Sequence, residues 1–154
     1  MNAAFINPLI DATCDVFKTM FACELTCGPS QPKENAIPAN EISGVIRIAG
    51  RAEGTVVVSL TRETATLVAA GFLGEHSGIS EASLVDSVGE LANMIAGGTK
   101  ARLSGWGLTI GLPTVLCGQN QTVNFPAKAL PIAIPFDSAW GLISIEVGLA
   151  VTQH

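Results

Sequence analysis

Basic residues are scarce: eight Lys and Arg stand against 13 Asp and Glu in 154 residues, for a net charge of −5. They are scattered, whereas a nucleic-acid surface needs a basic stripe to neutralise phosphates. Nucleic-acid binding is therefore set aside. Charged residues of either sign make up only 14% of the chain against 48% hydrophobic, so a large core and a subunit interface are expected. Yet no stretch of 18 or more residues is free of charges, proline or glycine clusters, which argues against a membrane-spanning helix. The opening MNAAFINPLIDATCD lacks a basic n-region, and Pro8 and Asp11 interrupt the place where a secretory signal would be apolar. The expectation is a cytoplasmic protein of one domain, residues 1–154.

Paired short cysteine spacings are also lacking. Cys14, Cys23, Cys27 and Cys117 form no C-x-x-C, and the two histidines, His76 and His154, lie far from them. A zinc site usually declares itself by such pairs, so the thiols are read as free and mostly buried.

Apolar residues recur at three and four over residues 5–25, which predicts a helix with Pro8 in its first turn. Residues 28–38 are a loop by composition. ISGVIRIAG and TVVVSL flank a short RAEG connection and predict a hairpin. Thr61 is a capping residue for a second helix that ends at Gly74. EHSGIS is a loop, and the longest helical pattern spans residues 81–103. The remainder alternates β-rich runs with turns: LTIGLPTVLCG, TVNF, ALPIAIPF and WGLISIEVGLAV. Pro131 and Pro135 confine their strand to an edge or a bulge. The class is α+β, an antiparallel sheet covered by helices, with a faint α-then-β duplication.

VGELANMIAGGTK, within the longest helix, carries three glycines, and an interior glycine costs a helix about 1 kcal/mol relative to alanine. In helical projection Leu84, Val85, Val88, Leu91, Ala92, Ile95, Thr99 and Leu103 form the core stripe. Ser83, Asp86, Ser87, Gly89, Glu90, Asn93, Met94, Gly97 and Lys100 lie opposite. A solvated helix face is normally filled with Lys, Glu and Gln. This one is nearly bare apart from two acids, an amide and a lysine, as a docking surface would be. Close helix packing or a kink is the competing explanation for the glycines.

The segment DSVGELANMIAGGTKARL, with E-x-x-N and a glycine four residues after the Asn, resembles the signature helix of the CheC/CheX/FliY family of chemotaxis phosphatases. FINPLIDATCDVFKTMF and ISGVIRIAGRAEGTVVVSL resemble its CheX branch. The resemblance implies a CheC-like fold and a phosphatase acting on a phosphorylated CheY-like response regulator, in chemotaxis or another two-component circuit. It assigns Asn93 to orienting the attacking water and Glu90 to pairing with the regulator's active-site lysine. Asp86, Gly89, Met94, Gly97 and Lys100 would form the surrounding docking surface. It further implies that this chain binds no cofactor of its own, that Mg²⁺ sits on the regulator, and that the chain is a homodimer joined through sheet edges. The first helix has no E-x-x-N, so one site per chain is expected. The alternative is a binding module that docks a regulator without turnover; a small-ligand or flagellar-switch component is a third reading.

Other motifs carry less. GGTK is not preceded by a strand and lacks the full phosphate-loop pattern. GWGLTIG follows a helix and leads into a strand, the wrong order for a dinucleotide loop. His76 is read as an ordinary loop histidine, and Trp106 and Trp140 as core or interface anchors.

Overall fold

A computed structural model describes residues 3–74 and 77–152. In chain order the elements are α1 (Ala3–Phe21), β1 (Thr26–Cys27), β2 (Gln31–Pro32), β3 (Ile42–Ala49), β4 (Ala52–Leu60), α2 (Arg62–Leu73), α3 (Glu81–Arg102), a 3₁₀ turn (Ser104–Trp106), β5 (Thr109–Ile110), β6 (Thr114–Cys117), β7 (Ile132–Asp137) and β8 (Ile143–Val151). The strands make one antiparallel sheet in the order β1-β7-β8-β4-β3-β5, with β2 also on β7 and β6 also on β3.

Period-two alternation fixes which residues face the helices. Ile42, Gly44 and Ile46 of β3 lie opposite Leu60, Val58 and Val56 of β4. These in turn face Ile143, Ile145 and Val147 of β8, which pair with Phe136, Ile134 and Ile132 of β7. All but half-buried Ile132 are buried. Phe5, Leu9 and Phe17 of α1 and Leu91 and Ile95 of α3 close over them, each at most 1% exposed.

Much of the other sheet face is buried as well, and there polar residues stand beside buried Val57. Ser43 and Ser59 hydroxyls meet at 2.9 Å, and Thr55 Oγ1 donates to Asn124 O at 2.8 Å. Glu146, 1% exposed, accepts from Ala39 N at 2.9 Å and lies 3.1 Å from Lys33 Nζ. Lys33 Nζ itself donates to Ile37 O at 2.7 Å. Chain between β2 and β3, and between β6 and β7, thus forms a third layer tied down by side chain–backbone bonds.

Most predicted elements are present, with shifted ends. The first helix stops at Phe21 because Ala22 turns to φ 49°, and since it begins by Ala3, Pro8 lies in its second turn rather than its first. The hairpin turns at Gly50 and Arg51, two residues earlier than RAEG suggests, with Gly50 at φ +133°. Thr61 caps α2 by accepting from Thr64 N at 3.1 Å, and Gly74 ends it at φ 71°. TVNF is not a strand: its chain belongs to the outer layer, where Asn124 O serves Thr55. β7 is not the expected edge, since β1 and β2 pair along it opposite β8; Pro131 precedes the strand, and Pro135 falls where β1 and β2 are interrupted, its carbonyl accepting from Gly28 N at 2.8 Å. His76 and His154 lie outside the described residues.

Candidate functional site

The site is built on α3. Ser80 caps its start, the hydroxyl accepting from Ser83 N at 3.1 Å, and Glu81 stands in the first turn with Lys100 and Arg102 in the last. These signs complement the helix dipole. Arg62 clamps Glu81 through two bonds of 2.8 and 3.1 Å, and Arg102 reaches Asp15 of α1 at 3.5 Å. The pairing with Arg62 holds the Glu81 carboxyl below the usual carboxylate range.

Two glycines set how deeply α3 sits, and neither is the one the bare face suggests. A Cβ on Gly44 of β3 would come within 2.8 Å of Ala92 Cβ and 3.1 Å of Val88 O, so the helix rests directly on the strand. A Cβ on Gly98 would stand 3.2 Å from Ala12 Cβ, where α3 meets α1.

Of the predicted core stripe, Val85 is half-buried and the rest is buried. On the opposite side Asp86, Glu90, Asn93 and Lys100 are exposed, with Met94 and Gly97 half-buried beside them. Among the described residues neither the Glu90 nor the Asn93 side chain has a hydrogen-bond or ion-pair partner, so both are free to engage an incoming surface. Three residues apart on a helix, they are neighbours about 5–6 Å apart at Cβ.

Gly89 and Ser87 depart from expectation. Both are buried, and a Cβ on Gly89 would lie 3.5 Å from Val115 and 3.6 Å from Pro113. Gly89 therefore faces β6 and its preceding turn rather than the docking row. Gly97 behaves oppositely: a Cβ there would meet nothing within 4 Å. No contact inside the fold explains a glycine at that helical position.

A surface cavity of about 510 Å³ lies elsewhere, lined by Arg47, Glu53, Asn124 and Phe125 at the hairpin end of β3 and β4. The Glu90–Asn93 row is instead an open ridge, suited to a macromolecular surface rather than to an engulfed small molecule. Among the described residues no group of three or more His, Cys, Asp or Glu is placed to hold a metal ion, and no helix is long and apolar enough to cross a membrane. The four thiols are free as expected, but only Cys23 is buried; Cys14 is half-buried and Cys27 and Cys117 are exposed, and desolvation is the main cause raising the Cys14 and Cys27 pKa. Trp106 and Trp140 are half-buried anchors, Trp106 at 6.1 Å from Phe5 and Trp140 at 5.4 Å from Phe21.

Residues 42–137 match the family described as chemotaxis phosphatase CheX. The chain is 31% identical over 128 residues to the CheY-P phosphatase CheX of Thermotoga maritima, covering 80% of this chain and 81% of that protein. The crystal structure of a chemotaxis protein CheX from Desulfovibrio desulfuricans superimposes with a TM-score of 0.86 at 30% identity, covering 95% of this chain and 99% of the other. CheX in a CheX–CheY–BeF₃–Mg²⁺ complex from Borrelia burgdorferi superimposes at 0.74 with 25% identity, covering 97% and 98%.

Proposed function

Since the chain belongs to the CheX family of chemotaxis phosphatases, we propose that it removes the phosphoryl group from the phosphoaspartate of a CheY-like response regulator, with Asn93 and Glu90 of α3 as the acting pair. One observation carries the residue assignment. On a helix packed against the sheet and α1 by its other faces, an exposed acid, an exposed amide and a glycine that no internal contact requires form one row.

The chemistry asks little of the chain beyond placement. In phosphoryl hydrolysis the water oxygen bonds to phosphorus as the acyl oxygen leaves with the electron pair, restoring the aspartate carboxylate. Catalysis is then mostly positioning and electrostatics. The Asn93 carboxamide accepts one water hydrogen at Oδ1, which turns a water lone pair toward phosphorus. A neutral amide does this without repelling the phosphoryl oxygens, as a carboxylate would. Glu90, one turn back, pairs with a lysine at the rim of the regulator's site. Mg²⁺ on the regulator neutralises the phosphoryl charge, in keeping with the ion in the Borrelia complex. Asp86, Met94, Gly97 and Lys100 form the docking surface around the pair.

The same reading takes the chain as a cytoplasmic homodimer joined at a sheet edge. The β5–β6 edge suits this, since Leu112 between the two strands is 92% exposed. The deciding experiment follows phosphate release from phosphorylated regulator. Wild-type protein should accelerate it and Asn93→Ala should not, whereas equal rates with wild type and variant would remove the assignment.

A further inference from the structure

The ridge continues into a hollow that the Glu90–Asn93 pair does not use. Where α3 gives way to the 3₁₀ turn, a cavity of about 380 Å³ is lined by Gly97, Lys100, Ala101, Leu103, Gly107 and Leu108. Leu103 and Leu108 are 8% and 3% exposed and form an apolar floor continuous with the core. A Cβ on Gly97 or on Gly107 would meet nothing within 4 Å, so the space was not cleared to let the fold pack against itself. Gly107, at φ +58°, turns the chain away from the helix end and keeps the hollow open.

Gly97 and Lys100 follow Asn93 by four and seven residues, or roughly 6 and 10 Å along the axis. Even a small protein–protein contact covers about 600 Å² per partner, a disc of roughly 14 Å radius. A contact of that size centred on Asn93 also covers the hollow. Such contacts are anchored by apolar or aromatic side chains seated in pockets.

We infer that this hollow receives an apolar or aromatic side chain projecting from the regulator's surface within about 10 Å of its phosphoryl group, and that it selects which regulator is served. The inference rests on the reading in which Asn93 meets the phosphoryl group. Lys100 at the rim favours a regulator with neutral or acidic residues around that anchor.

The test uses the full chain with a CheY-type regulator from the same genome, loaded with beryllofluoride and Mg²⁺ for binding or phosphorylated for turnover. Ala101→Phe and Ser104→Phe fill the hollow from two sides. Each should raise Kd and KM about tenfold or more while leaving kcat at saturating regulator within about twofold. Asn93→Ala should do the reverse, losing kcat with little change in Kd. Should a filled variant fold poorly, hydrogen exchange on wild-type protein gives the same answer: amides of residues 97–108 should gain protection when the regulator is added. Unchanged Kd and KM in both filled variants, or no gained protection, overturns the hollow's role. A full rate in Asn93→Ala overturns the phosphatase assignment instead, and the Kd measurements still report on the hollow.

Discussion

At the scale of single residues, the roles proposed for Asn93 and Glu90 differ, and their variants should fail differently. In the proposed mechanism Asn93 acts only as water attacks, so Asn93→Ala should lower kcat roughly 100-fold, the loss typical of one preorganised group. Glu90 acts at the encounter, so Glu90→Ala should mainly raise KM, by roughly tenfold and more steeply at low salt. Steady-state kinetics at two ionic strengths separates the two. Glu81 gives a titration test. Its pKa is lowered by the Arg62 hydrogen bonds, so the pair's contribution is present above the unfolded carboxylate pKa and fades as acid takes the pH through the folded value. Arg62→Ala should move the Glu81 midpoint upward in an NMR titration. The exposed Glu90–Asn93 row was legible because both residues lie within one short stretch of a helix whose apolar stripe fixes its faces. Gly89 was misread because its burial comes from Pro113 and Val115, more than twenty residues on, which a helical wheel does not contain.

Among elements, α3 is held to its depth by what β3 omits. Gly44→Val would push a side chain into Ala92 and Val88, and should cost about 1–3 kcal/mol while lifting the docking ridge from the sheet. Chemical denaturation and regulator affinity should therefore both change, although Gly44 is buried and touches no partner. The helix itself was easily read, since its apolar stripe is a local signal. TVNF was misread for the opposite reason: β-forming composition says nothing of whether a neighbouring strand is free to accept a new edge. The hollow beside α3 was not legible either, because Leu108 reaches it only after the Gly107 turn.

Across the whole molecule, the polar outer layer hangs on Lys33 and Glu146. Lys33→Met would leave a carboxylate 1% exposed with no cation beside it, and should destabilise the protein by about 3–5 kcal/mol. Thermal unfolding checks this, and the Glu90–Asn93 site on the opposite side should keep its kcat below the melting range. Glu146 gave no warning in the sequence, where it reads as the outward residue of an alternating strand. The α-then-β duplication, by contrast, is plainer in the strand order than in the residues. Each half contributes a hairpin at the centre, β3–β4 or β7–β8, and sends its short strands to the other half's flank.

That exchange of flanks has a consequence for cutting the chain. The half whose leading helix holds no E-x-x-N cannot be removed alone, because its first short strands extend the other half's sheet and its helix packs against α3. A nearly symmetric strand order thus carries the E-x-x-N row on one half only.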